Sequence, residues 1–252
     1  MERHSSTYGW VFGQIRVDPS DENTLYIMGI PLSKSTDGGK TFIQLRGPHA
    51  DHHGLWIDPD NGNYLLNVQD GGLTISYDQG ETWKYPIEEL PLAQFYNVEY
   101  DLSTPFRVFG SIQDHHSFYT EVDMSRGRDN IRPGEWKNIL GAEGTTHAVN
   151  KDDNNTIYAS SFYGNLARAE IENYPRGQEG ILPRRYSDEE RLRGQWVAPT
   201  LLSPHNQDIV YHCMQYVLMS RDRGNTWEYI SPDLSFNDPG KMGDISYQTI
   251  SA

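Results

Sequence analysis

Histidines and acids crowd into a few short segments of this 252-residue chain. His49-Ala50-Asp51-His52-His53, Gln113-Asp114-His115-His116 and Glu143 to His147 together hold six of the nine histidines. A further polar segment, Gln69-Asp70-Gly71-Gly72, and an aromatic one, Ser161-Phe162-Tyr163-Gly164-Asn165, complete the set. Three chemistries suit these residue types. Two carboxyl groups flanking a glycosidic bond cleave it when one is kept protonated, and Asp51, Asp70, Asp114 and Glu143 are the candidates. Neutral imidazole beside carboxylate suits zinc and similar ions, which makes His52, His53, His115 and His116 the candidate ligands. No HExxH or comparable ligand spacing is present, so the expectation is no cofactor, with a divalent metal at these pairs as the alternative. In each pair one ring is expected to pack or bond backbone while its neighbour faces solvent. A binding surface, finally, needs only ring faces and hydrogen-bonding groups. His52, His53, Gln113, Asp114, His115, His116, His147, Tyr163 and Asn165 are assigned that role, with Phe162, Trp196 and Tyr216 as further platforms.

The elements that must position these residues are marked by a repeat. One octapeptide, S-x-D-x-G-x-T-aromatic, occurs three times: Ser35 to Phe42, Ser76 to Trp83 and Ser220 to Trp227. Its chemistry is that of a hairpin. Asp37, Asp78 and Asp222 can accept hydrogen bonds from the N–H groups of the turn, and Gly39, Gly80 and Gly224 can take the positive φ it needs. Thr41, Thr82 and Thr226 resume the strand, and Phe42, Trp83 and Trp227 supply a large body for packing between sheets. Ser35, Ser76 and Ser220 open the three copies. All parts of the motif are consumed by folding, which argues against a catalytic role for its aspartates.

A softer repeat precedes each octapeptide, from Ile15 to Tyr26 and from Leu55 to Leu66, with weaker copies starting at Val98, Ala148 and Leu201. The residues after the first strand of each copy, Asp18, Asp58, Asp101, Lys151 and Pro204, are spaced 40, 43, 50 and 53 apart. A period in the forties made of four short strands is that of a propeller blade. The spacing predicts an all-β fold of four-stranded antiparallel blades over 10–46, 52–86, 95–140, 145–186 and 195–231, with a sixth beginning at 245–252. Five units and one strand read as part of a longer propeller, whose remaining blades would be this chain's first partners. In a blade the first-to-second and third-to-fourth turns emerge at one face, and the remaining connections at the other. The octapeptides then mark one face, and the His/acid segments the opposite one. Ser187 to Gly194, a strongly charged connector, reads as a solvated loop.

Composition narrows the partners. Asp plus Glu outnumber Lys plus Arg by 35 to 21, a formal charge of −14, which opposes a phosphate backbone and excludes nucleic acid as an expected partner. No apolar run approaches the 18 or so residues of a membrane helix, and none of the sequence predicts membrane insertion. With a single cysteine, Cys213, no internal disulfide framework or Cys-based zinc site exists.

The phrases RVDPSDENTLYI, STDGGKTF, DHHGLWIDPDNGNYLL, DGGLTISYDQGETW and LLSPHNQDIVYH followed by SRDRGNTW resemble the Asp-box, or BNR, repeat proteins, and among them the sortilin-type propellers and their bacterial glycosyl-hydrolase-like relatives. The resemblance covers essentially the whole chain. It implies a β-propeller and, commonly, a secreted or periplasmic protein that binds peptides or glycans; several Asp-box families are glycosidases. No Phe-Arg-Ile-Pro-like segment of the sialidases is found, and the cysteine-rich module that follows animal sortilin propellers is absent. The expectation is a peptide- or glycan-binding propeller without enzymatic activity. A glycosidase acting through paired carboxylates and a protein-interaction scaffold are the alternatives.

Overall fold

The computed structural model describes residues 13–86, 93–131, 134–183 and 192–238. The strand expected at 245–252 and most of the charged connector Ser187 to Gly194 lie outside the described residues. The chain divides into two compact units, 1–93 and 94–252.

In the first unit, β1 (Ile15–Asp18), β2 (Asp21–Ile27), β3 (Ser33–Ser35) and β4 (Ile43–Gln44) form sheet I. Sheet II follows with β5 (His52–Asp58), β6 (Asn61–Gln69) and β7 (Gly72–Ser76). The second unit holds sheet III, made of β8 (Phe95–Tyr100), β9 (Phe106–Ile112), β10 (Ser117–Val122) and β11 (Lys137–Ile139). Sheet IV comprises β12 (Thr146–Val149), β13 (Thr156–Ser161), β14 (Asn165–Glu170) and β15 (Glu179–Gly180), and sheet V β16 (Thr200–Ser203), β17 (Asn206–Cys213), β18 (Val217–Ser220) and β19 (Glu228–Tyr229). Every sheet is an antiparallel meander in chain order. Helical residues among those described are confined to single 3-10 turns such as Phe162–Gly164 and Ile171–Asn173. Within each unit the first strands abut one another: β1 lies against β5, and β12 against both β8 and β16. Sheets stacked through their first strands are propeller blades, and the fold is all-β of that kind.

Sheet II falls short of the expected four strands. After its octapeptide a single bridge, Ile75 to Lys84, forms among the described residues, and two residues later Pro86 brings a residue without an N–H, which cannot donate to the ladder.

Alternation along the strands builds the cores. In the first unit Tyr26, Met28, Leu32 and Leu45 of sheet I meet Leu55, Ile57 and Leu65 of sheet II. In the second, Phe109, Ile139 and Leu140 of sheet III pack on Val149, Ile157 and Ala159 of sheet IV. Tyr158 and Leu166, from the other face of sheet IV, meet Val210 of sheet V.

The three octapeptide turns share one hydrogen-bond scheme. The serine hydroxyl donates to the aspartate at 2.8 Å in all three copies and accepts from the glycine N–H at 2.7 to 2.9 Å. The aspartate's Oδ1 accepts the threonine N–H and its Oδ2 the threonine hydroxyl. These bonds hold the Asp78 and Asp222 carboxyl groups down at about 2, led by the threonine hydroxyl. The glycines do more than permit the turn: a Cβ on Gly80 would stand 2.6 Å from Leu45 Cδ1, and one on Gly224 2.5 Å from Ile181 Cδ1. The turn is therefore pressed against the preceding sheet, and Trp83 and Trp227 pack into the same intersheet seams.

Candidate functional site

Connections before the first strand and between the second and third strands leave one end of each sheet. In the second unit that end gathers Tyr96, at the start of β8, and Gln113 to His116, in the β9–β10 turn. It also gathers Glu143 ahead of β12, Phe162 and Tyr163 after β13, and Trp196 ahead of β16.

Contacts join these residues across three sheets. Tyr96 donates its hydroxyl to Gln113 Oε1 at 2.6 Å, and Gln113 Nε2 donates to Asp114 Oδ2 at 2.9 Å. The Asp114 N–H donates to a Glu143 carboxylate oxygen. Trp196 Nε1 reaches the Tyr96 hydroxyl at 3.4 Å. The indole of Trp196 also lies 4.5 Å from the Phe162 ring and 5.4 Å, edge to face, from Tyr163. Tyr96, Gln113, Asp114, Glu143, Phe162, Tyr163 and Trp196 are all half-buried, so ring faces and carboxylates line the same surface.

Two of these residues are held in the left-handed region that favours glycine, Asp114 at φ 56° and Tyr163 at φ 58°. Non-glycine residues in that region carry strain, which clusters at functional sites. Glycines make the close approaches: a Cβ on Gly144 would stand 2.8 Å from Trp196 Nε1, and one on Gly194 2.2 Å from the Tyr163 carbonyl oxygen.

Other residues singled out from the sequence sit differently. His147 is buried, and its Nε2 bonds the Leu140 carbonyl at 2.9 Å. Burial brings its pKa down to about 4, so the ring is neutral and part of the sheet III–IV seam. His115 and His116 are both exposed, with His115 Nδ1 on the Gln113 carbonyl at 2.8 Å. Asn165 is exposed and donates to the Phe162 carbonyl, bracing the aromatic turn. Tyr216 packs edge to face on Tyr229 at 5.2 Å.

In the first unit the corresponding loops hold His49, Asp51, His53, Gln69 and Asp70. His53 Nε2 stands 2.6 Å from Asp70 Oδ1. His52 turns inward, 3% exposed, with Nδ1 on Asn67 Oδ1 at 3.0 Å, and burial lowers its pKa. Neither His52 nor His147 presents a ring to solvent. Asp51 is at φ 63° and donates its N–H to the Ile30 carbonyl.

Sequence reasoning missed Tyr96 altogether and left Trp196 as one platform among several. The signal available was the glycine pair, Gly144 and Gly194, whose lack of side chains makes room for the indole and for Tyr163.

No protein-family model and no curated protein matches the sequence. Among solved structures the chain is similar to the GH74 xyloglucanase from Xanthomonas campestris, with 18% identity and a TM-score of 0.40 over 88% of this chain and 38% of that one. It is similar to YCF48 bound to D1 peptide, with 18% identity and a TM-score of 0.34 over 82% of this chain and 63% of that one. The WD40 domain of SCAP from fission yeast gives 15% identity and a TM-score of 0.37 over 88% and 53%. The chain thus spans 38% of the length of the Xanthomonas enzyme, and 39% of a second GH74 enzyme from Niastella koreensis.

Proposed function

We propose that the loop end of residues 94–252 is a binding surface for a glycan or a peptide, without catalysis. The observation that supports this is the convergence of Trp196, Phe162, Tyr163 and Tyr96 with Gln113, Asp114 and Glu143, drawn from three sheets and held by the contacts described above. Ring faces beside carboxylates and an amide suit ligands that present apolar faces and hydroxyl or N–H groups together, as sugars and peptide segments do. Calorimetric titration of a panel of neutral oligosaccharides and of peptides into the protein tests it. Saturable binding to one class, lost in Trp196→Ala, is expected. Equal binding by wild type and Trp196→Ala would remove the surface from consideration.

A second reading, glycoside hydrolysis, is favoured by one contact: the bond from the Asp114 N–H to Glu143 brings two acids from different sheets together. Paired carboxyl groups are the catalytic apparatus of most glycosidases. Release of reducing ends from the same oligosaccharides, abolished in both Asp114→Asn and Glu143→Gln, would establish it in place of simple binding.

A further inference from the structure

We infer that the first unit carries a divalent-cation site made by the His49 imidazole, the Asp51 carboxylate and the side-chain amide of Gln69. All three residues belong to the first unit, and the inference does not rest on the function proposed above. His49 Nδ1 stands 3.1 Å from the Ala50 carbonyl. A carbonyl oxygen only accepts, so Nδ1 carries the hydrogen and Nε2 is left with its lone pair, the arrangement by which an outer hydrogen bond sets a metal-binding tautomer. A ring nitrogen of His49 and a carboxylate oxygen of Asp51 lie within 4.8 Å of one another. Two ligands standing about 2.1 Å from one ion are at most about 4.2 Å apart, so only a small closing movement is required.

Gln69 provides the independent observation. It is 4% exposed, and neither its Oε1 nor its Nε2 has a hydrogen-bond partner among the described residues. Buried amides are nearly always bonded, because losing water without gaining a partner is costly. An oxygen held in this way is satisfied by a cation or by that cation's bound water. Gly71 brings Gln69 and His49 together: a Cβ there would stand 2.6 Å from His49 Cβ and 3.0 Å from Gln69 Oε1. Asp51, at φ 63°, is the strained member that delivers the carboxylate. His52, bonded to Asn67, and His53, paired with Asp70, are engaged elsewhere.

An imidazole nitrogen with two oxygen donors selects a borderline ion such as zinc over magnesium or calcium, which prefer all-oxygen shells. Three protein ligands leave a position for water or a ligand group.

Calorimetric titration of the chelator-treated full chain with zinc chloride, and separately with magnesium chloride, tests the site. Cobalt(II) absorption serves as a second readout of inner-sphere nitrogen ligation. One equivalent of zinc should bind, with no heat from magnesium. His49→Ala and Asp51→Asn should each weaken zinc by at least about tenfold at unchanged far-UV spectrum, and Gly71→Ala should do the same by displacing His49. Should any of these variants unfold, His49→Gln and Asp51→Ser make the same comparison at surface-accessible atoms. Zinc binding that survives His49→Ala but is lost in His53→Ala, or no binding by wild type, would overturn the proposal.

Discussion

Arg168 on β14 donates through Nη1 to the carbonyl oxygen of Arg223, 2.6 Å away in the third octapeptide turn. Lys34 on β3 does the same for Gln79 in the second turn, Nζ to carbonyl oxygen 3.3 Å. Arg223 and Gln79 occupy the same octapeptide position and share a left-handed backbone, φ 62° and 57°. That conformation turns the carbonyl out of the hairpin, towards the preceding sheet, where a buried acceptor needs a donor. Each cation lies opposite a tyrosine of the neighbouring strand, Tyr26 beside Lys34 and Tyr158 beside Arg168. Sheet IV lacks the octapeptide, and there the matching pair on sheet III is Phe109 and Tyr119, stacked at 5.6 Å. A cation on the third strand thus accompanies an octapeptide turn on the next sheet.

Replacing that cation should therefore loosen a seam. Arg168→Met leaves the Arg223 carbonyl without its donor, a loss of about 1–3 kcal/mol, whereas Arg168→Lys, which keeps a donor, should lose less. Urea midpoints of the two variants decide it; equal losses would mean that packing of the long side chain, and not the bond, carries the seam.

The octapeptide aspartates set an acid limit. With the Asp78 and Asp222 carboxyl groups at about 2 when folded and near the ordinary 3.8 when unfolded, the unfolded chain takes up protons first as pH falls. Their stabilising effect is complete above about pH 4 and is lost on descent through pH 2. Asp222→Asn should lower the melting temperature at pH 7 and narrow the difference from wild type at pH 2.5. A gap constant with pH would show that the carboxylate charge contributes nothing.

These turns were legible in the sequence because Ser220, Asp222, Gly224 and Thr226 bond one another within seven residues. The contacts within the loop surface were not, because they join Asp114 to Glu143 and Trp196 to Tyr96, pairs on different sheets. His52 and His53 illustrate a subtler failure. Alternation along β5 places His53 with inward Leu55 and Ile57, yet an irregularity between His52 and Gly54 shifts the register and sends His52 inside instead. A single residue out of step in a ladder reverses every side chain beyond it, and nothing local to the sequence announces it. His147 could have been read: it alternates with buried Val149 on β12.

The buried histidines predict a second, milder acid sensitivity. Burial holds His147 and His212 at about 4 when folded, against an ordinary 6.5. Between these values only the unfolded chain is protonated, so stability should be full above about pH 6.5 and fall by roughly 1.4 kcal/mol per pH unit for each ring towards pH 4. His212 is bonded at both nitrogens, to Thr200 and Gly164, and is the harder to replace. With His52 lowered by burial as well, His147→Gln should reduce, without abolishing, the slope of unfolding free energy against pH between 6 and 4.5, and an unaltered slope would assign the sensitivity to other groups.

The last prediction separates the loop surface from the turns that support the fold. Trp227 donates to the Ile181 carbonyl at 2.8 Å and fills the sheet IV–V seam; Trp227→Ala should cost about 3–5 kcal/mol while leaving ligand affinity intact wherever the protein remains folded. Gly144 behaves in the opposite way. At φ 62°, with Trp196 Nε1 at 2.8 Å from where its Cβ would be, Gly144→Ala strains the turn by about 1 kcal/mol and displaces the indole from Tyr96. Because Trp196 also packs against Phe162 and Tyr163, its displacement disperses the aromatic cluster without removing any ring. Gly144→Ala should then weaken ligand binding about as much as Trp196→Ala does, with a red-shifted tryptophan emission reporting the exposed ring. Full affinity in Gly144→Ala together with the shifted emission would show that the indole's position is immaterial, and the binding surface would have to be sought elsewhere on the chain.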